Sequence, residues 1–151
     1  MPAWTCRAPS LRVNFWVNME LEPIRKGKHG AVLVLKETAA DGKRSCPVLD
    51  DLKAIAVTRR AEIQGLYDLF DRFAEGGRNA LTGEQLHLAN KKHGIWGIRK
   101  GDTRAYGFFD GNNVIVVTGA MLKKGQKVDP KQVKTAVDLR KRLQSDREGR
   151  T

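Results

Sequence analysis

The chain has only two cysteines and no long apolar run in its 151 residues. Cys6 and Cys46 are far apart and form no CxxC pair, which argues against a disulfide framework or a metal site. A membrane-spanning helix needs about 20 consecutive apolar residues. The N-terminus also lacks the apolar stretch and small-residue cleavage site of a secretory signal. We therefore expect a cytoplasmic protein without a metal or other cofactor.

Acidic residues are outnumbered by basic ones, and unevenly so. The formal net charge is +11. Residues 91–151 hold 15 Lys and Arg against 6 Asp and Glu, whereas residues 1–90 hold 13 against 11. A soluble surface normally mixes both signs, so this bias favours a nucleic acid or an acidic protein as the partner. The second half of the chain is expected to present that surface.

Apolar spacing predicts a strand and two helices in the first half. Residues 31–35 form a short β-branched run, which is typical of a buried strand. Pro47 suits the first position of a helix after Cys46. A second helix follows Thr58, which we expect to cap it, and ends at Gly76. We expect its aromatic residues to pack on a sheet rather than bind a ligand: Tyr67, Phe70 and Phe73.

The second half predicts a three-strand meander and a last helix. The strands are residues 94–100, 103–109 and 113–118, and the Asp-Gly pair after the second is a strong hairpin signal. Asp129 suits the N-cap of the last helix and Pro130 its first position. The expected fold is α+β: the N-terminal strand and the meander form a small, mainly antiparallel sheet, packed against two N-terminal helices and followed by a C-terminal helix.

The two ends of the chain carry weaker patterns. Residues 11–17 alternate loosely and could form an edge strand. We place an N-terminal extension at residues 1–28, the folded domain at residues 29–145 and a flexible tail at residues 146–151.

Three short motifs occur in a specific order and spacing. Residues 41–52 contain Gly-Lys and Pro-Val pairs at the entry to the first helix, residues 94–99 read GIWGIR, and residues 121–127 read MLKKGQK ahead of Pro130. Together they resemble the RelE/ParE toxin superfamily, in particular its HigB-like branch of phage-derived growth inhibitors. Two positions depart from that pattern: Gly97 replaces the usual Glu, and residues 118–120 lack a His often found there.

The resemblance implies a RelE-like fold and the toxin of a type II toxin-antitoxin system. The activity that the resemblance most directly implies is that of a ribosome-dependent, metal-independent endoribonuclease that cleaves mRNA and inhibits translation. The implied partners are mRNA, the ribosome and an acidic antitoxin, often of the helix-turn-helix type. Two alternatives remain open: a ParE-like inhibitor of DNA gyrase without nuclease activity, and a degenerate relative that only binds nucleic acid.

RNA cleavage by its own 2′-hydroxyl needs a base, cations that stabilise the phosphorane, and a proton for the leaving oxygen. Arg99 and Arg104 lie at adjoining ends of two predicted strands, where guanidinium groups can bind phosphate bidentately. Tyr106 could stack a base or assist proton transfer, or simply share a sheet face with Arg104. The expected catalytic residues are Arg99, Arg104, Tyr106 and Lys124.

Further lysines are expected to contact the nucleic-acid backbone: Lys91, Lys92, Lys123 and Lys127. Lys91 and Lys92 could equally be solvated, or could supply a base if desolvated. Among the histidines we expect only His93 to adjoin the site, although a lone loop histidine is more often solvated. Trp96 is expected to be buried in the core.

Overall fold

The structure is a computed structural model that describes residues 16–123 and 128–149. These residues form three α-helices, seven strands and one short 3₁₀ turn. In chain order the elements are β1 (Trp16–Lys26), β2 (Ala31–Ala39), β3 (Arg44–Ser45), α1 (Pro47–Ala56), α2 (Arg60–Gly76), the 3₁₀ turn Arg78–Ala80, β4 (Leu86–Asn90), β5 (Ile95–Lys100), β6 (Thr103–Phe109), β7 (Val114–Leu122) and α3 (Pro130–Gly149).

All seven strands belong to one open, mixed sheet. Its order is β1-β2-β7-β6-β5-β4, and the two-residue β3 pairs with β2 beside this path. β2 and β7 run parallel, whereas the other strand pairs are antiparallel. The predicted α+β class and the meander β5-β6-β7 are confirmed. The parallel pair joins the first predicted strand to the last strand of the meander.

The sheet is wider than the sequence predicts, because β3 and β4 were not expected and β1 extends well beyond residues 16–17, the described part of the suggested edge strand. β1 lies at one edge, within the region taken as an N-terminal extension, and pairs with β2 so that Met19 is buried. β4 forms the opposite edge and pairs with β5. Residues 11–15, part of the suggested edge strand, lie outside the described residues.

The helices begin close to their predicted starts, with one exception. Pro47 opens α1, and Pro130 opens α3 with the Asp129 carboxylate accepting the Lys131 N–H at 2.9 Å. α2 begins at Arg60 and has no side-chain cap, so the prediction of Thr58 as its cap was wrong. The Thr58 N–H instead donates to the Ile55 carbonyl and so belongs to the end of α1.

Each face of the sheet is covered by different helices. α1 and α2 pack on one face, where Phe70 and Phe73 are fully buried as predicted, while Tyr67 is partly buried. α3 packs on the other face through Val133, Ala136 and Leu143. Within the described part of the chain, no helix combines the length and apolar character needed to span a membrane.

α3 continues beyond the expected boundary at residue 145. Residues 146–149 are helical rather than a tail. Arg147 donates two hydrogen bonds to the Asp110 carboxylate, at 2.9 and 2.7 Å. This fork attaches the last turn of the helix to the β6–β7 turn, a long-range contact that local sequence does not reveal.

Candidate nucleic-acid-binding site

Arg99 and Arg104 are direct cross-strand neighbours. They are Cα partners in the register of β5 with β6, so their side chains project from the same face of the sheet. Like charges placed directly opposite each other on a sheet are unfavourable. A bound anion would relieve that repulsion, which makes this end of the sheet the candidate site.

Arg104 is mostly buried and hydrogen-bonded to the backbone. Only 7% of the residue is exposed, and its Nη1 donates to the Gly101 carbonyl at 2.6 Å and to the Thr103 carbonyl at 3.2 Å. Burial lowers the Arg104 pKa, and the positive charge of Arg99 lowers it further. Two backbone carbonyls thus hold the Arg104 guanidinium beside that of Arg99.

Lys123 joins the two arginines at the end of β7. Its backbone N–H donates to the Asp102 carbonyl at 2.8 Å, which places it beside the β5–β6 turn. Burial lowers the Lys123 pKa, and Arg104 and Arg99 add to that effect. The three positive charges are therefore close enough to interact electrostatically.

His87 completes the group from the edge strand β4. It is the Cα partner of Gly97. A Cβ added at Gly97 would lie 2.9 Å from His87 Cε1 and 3.0 Å from its Nε2, so the imidazole occupies the space above the glycine. Burial lowers the His87 pKa, followed by the charges of Arg104, Lys123 and Arg99. A neutral imidazole thus lies among the cations, and we call these four residues the basic cluster.

This arrangement corrects the expectation about the histidines. His93 lies in the turn between β4 and β5, at the end of β5 remote from Arg99. His87, which the sequence left unassigned, adjoins the site instead. Its position depends on the pairing of a five-residue strand with β5, and that strand is too short for alternation to reveal.

Tyr106 lies beneath the basic cluster. It pairs with Gly97 on one side and Gly119 on the other, and none of its surface is exposed. A ring buried to this extent offers no face for a base to stack on. Among the described side chains its hydroxyl is buried without a hydrogen-bond partner. Burial raises the Tyr106 pKa, while Arg104 lowers it.

The remaining predicted lysines are not brought into the cluster. Lys91 and Lys92 are exposed in the turn before β5. From Ile95 at the start of that strand to Arg99 the backbone already spans about 13 Å, at a rise of about 3.3 Å per residue. Both lysines remain candidates for a separate contact with the nucleic-acid backbone. Lys124 and Lys127 lie outside the described residues.

Trp96 was expected in the core and is only partly buried. It lies on the face that carries α2, in an edge-to-face contact with Phe109 at 5.2 Å between ring centroids. The Arg78 guanidinium lies 3.6 Å from the Phe109 centroid and 5.3 Å from that of Trp96. This aromatic pair is on the opposite face of the sheet from the basic cluster.

Residues 16–123 and 128–149 include no grouping of His, Cys, Asp and Glu side chains that could hold a metal ion. The basic cluster combines cations that can bind a phosphate group with a neutral imidazole that can accept a proton. Comparison with known protein families and with curated proteins finds no match to this chain.

Proposed function

We propose that this chain is the toxin of a type II toxin-antitoxin system, a HigB-like member of the RelE/ParE superfamily that cleaves mRNA on the ribosome. The observation that carries the proposal is the basic cluster, in which Arg99, Arg104 and Lys123 surround the neutral imidazole of His87. Phosphate binding and proton transfer are the two requirements of metal-independent RNA cleavage.

The residues of the cluster divide the reaction among them. His87 takes the proton from a ribose 2′-hydroxyl, whose oxygen forms a bond to the adjacent phosphorus. Arg99 and Arg104 bind the phosphate oxygens and stabilise the added negative charge. The bond from phosphorus to the 5′-oxygen breaks, and that oxygen takes a proton from the Lys123 ammonium or from water. The products are a 2′,3′-cyclic phosphate and a 5′-hydroxyl.

An acidic antitoxin is the proposed protein partner. The net charge of +11 is concentrated in the part of the chain that forms the cluster. An acidic protein that covers this surface would compete directly with RNA, because both neutralise the same cations. Binding of the antitoxin and binding of RNA are then mutually exclusive.

Induced expression in growing bacteria tests the proposal. We expect growth arrest, rapid loss of mRNA and 5′ ends that map to the ribosomal A site. Arg99→Ala, which changes an exposed side chain, should reduce cleavage sharply, whereas Lys53→Ala on the exposed side of α1 should not.

Other outcomes would replace the proposal. DNA damage with intact mRNA would assign the chain to gyrase inhibition, and an absence of toxicity would indicate a binding protein without activity. Equal cleavage by wild type and Arg99→Ala would remove the basic cluster from the reaction.

A further inference from the structure

One carboxylate of α2 holds the turn between β5 and β6. Glu62, in the first turn of α2, accepts the Thr103 hydroxyl at 2.8 Å and the Asp102 N–H at 3.3 Å through Oε1. These bonds join residues about 40 positions apart. The turn is therefore attached to a helix on the face opposite the basic cluster.

Gly101 allows the carboxylate to approach this closely. It has a φ of +59°, and a Cβ at this position would lie 2.5 Å from Glu62 Oε2. A side chain here would be strained in conformation and would also collide with the carboxylate. The turn and Glu62 thus fit together as one unit.

The same turn carries the anchors of two cations. The carbonyls of Gly101 and Thr103 accept hydrogen bonds from Arg104 Nη1, and the carbonyl between them, from Asp102, accepts the Lys123 N–H. Any shift of the turn moves all three carbonyls. Arg104 and Lys123 would then lose the common backbone segment that positions them.

Arg59 holds the acidic side chains of this region together. Its Nη1 lies 3.1 Å from Glu62 Oε2 and 3.0 Å from Asp102 Oδ2. Both carboxylates are thereby engaged by a cation outside the basic cluster. Arg104 keeps only backbone carbonyls as its described hydrogen-bond partners, so neither carboxylate forms a described hydrogen bond with it, although both still raise its pKa.

We propose that Glu62 is a positioning residue that sets Arg104 and Lys123 for phosphate binding through the Gly101–Thr103 turn. The inference rests on the proposed function for its substrate, RNA. Among the described hydrogen bonds Glu62 accepts none from the side chain of either cation, and its negative charge is the weakest of the influences on the Arg104 pKa. Its hydrogen bonds to the turn are therefore its main link to the cations. Removing it should loosen the phosphate site without removing any cation.

The test compares Glu62→Ala, Glu62→Gln and Thr103→Val with Asp71→Ala. Asp71 is a matched control because it lies on the same helix and pairs with Arg25, remote from the turn. The readouts are the Kd for a 2′-O-methyl RNA hexanucleotide, which cannot be cleaved through its 2′-oxygen, the single-turnover cleavage rate of ribosome-bound mRNA, and the Tm.

Glu62→Ala should weaken hexanucleotide binding and slow cleavage by about 10- to 100-fold, the scale of a small misplacement of a binding group. Glu62→Gln should stay within about threefold of wild type, because its amide oxygen still accepts from Thr103 and Asp102. Thr103→Val removes one of these bonds and should give an intermediate Kd. Asp71→Ala should leave the Kd unchanged and alter the Tm little, because its pair with Arg25 is substantially exposed.

Unchanged Kd and cleavage in a folded Glu62→Ala would overturn the inference, as would equal losses in Glu62→Gln and Glu62→Ala. If Glu62→Ala fails to fold, Thr103→Val decides by the same comparison. Wild type that binds the hexanucleotide but leaves mRNA intact would refute the proposed nuclease, while the Kd series would still test Glu62. Wild type that binds no hexanucleotide would overturn both.

Discussion

The His87 imidazole owes its chemistry to its neighbours. Burial and the charges of Arg104, Lys123 and Arg99 all disfavour its protonated form and lower its pKa below the ordinary value of 6.5. It is therefore neutral near pH 7 and can accept a proton. A phosphate bound beside the cations would offset their field and make the transferred proton easier to hold.

His87→Gln should slow RNA cleavage by about 100-fold or more, as expected for loss of a general base. In wild type the rate should rise with pH as the imidazole loses its proton and level off above about pH 6.5; the variant should lack that rise. Single-turnover rates between pH 5 and 8 measure both effects. His29→Gln, an exposed change in the β1–β2 turn, serves as the control, and a His87→Gln profile matching wild type would contradict the assignment.

The buried hydroxyl of Tyr106 has no described hydrogen-bond partner, which affects the stability of the fold. An unsatisfied buried polar group costs about 1–3 kcal/mol. Tyr106→Phe should therefore raise the free energy of unfolding by about 1 kcal/mol, measured by urea denaturation. Tyr67→Phe, at a partly exposed ring, should change it little. A destabilised Tyr106→Phe would reveal a partner for the hydroxyl, and a stable variant with reduced cleavage would support its predicted catalytic role.

At the scale of elements, the last turn of α3 depends on one ion pair. The hydrogen bonds from Arg147 lower the Asp110 pKa below its ordinary value of 3.8, although burial opposes this. The pair therefore stabilises the fold above about pH 3.8, and that contribution is lost as the pH falls through the lowered pKa. The side chains are 49% and 26% exposed, so solvent weakens the interaction.

Arg147→Ala should lower the free energy of unfolding by about 0.5 kcal/mol at pH 7. Amide hydrogen exchange should accelerate in residues 146–149, and the difference from wild type should shrink below pH 3.8. Lys134→Ala, which removes an exposed pair within the same helix, should leave exchange in these residues unchanged. Unaltered exchange in Arg147→Ala would mean that the fork does not hold the turn.

Elements with local signals were predictable, and those defined by distant partners were not. Pro47 and the Asp129-Pro130 pair marked helix starts, and the Asp-Gly turn marked the meander. In β1, Met19 and Leu21 alternate with Glu20 and Glu22, which is a strand pattern, but Pro23 interrupts it. The strand extends to Lys26 through its pairing with β2. β4 is likewise defined by β5.

The residues of the candidate site likewise fall into those that local sequence predicts and those that it does not. Register follows from the β5–β6 hairpin, so the neighbouring positions of Arg99 and Arg104 could be predicted. His87 and Glu62 could not, because their roles arise from β4 pairing with β5 and from α2 packing behind the turn. Lys91 and Lys92 were grouped with the site by closeness in sequence, yet a full strand length separates them from Arg99.

At the scale of the whole molecule, the net charge of +11 raises the question whether RNA binding is local or diffuse. Many scattered cations would attract a polyanion anywhere on the surface. The basic cluster instead concentrates three cations at one end of the sheet, where burial and mutual repulsion lower the pKa of Arg104 and Lys123. Local binding releases a defined number of counterions.

The salt dependence of binding separates the two cases. For single strands the slope of log K against log salt is about −0.7 for each phosphate contact. Three cluster cations predict a slope of about −2 for a short oligonucleotide. The slope is measured by fluorescence anisotropy at salt concentrations from about 50 to about 300 mM. Arg99→Ala should reduce its magnitude by about 0.7, whereas Lys53→Ala should leave it unchanged. Equal reductions in both variants would show that binding is spread over the surface, because only a local site distinguishes Arg99 from any other exposed cation.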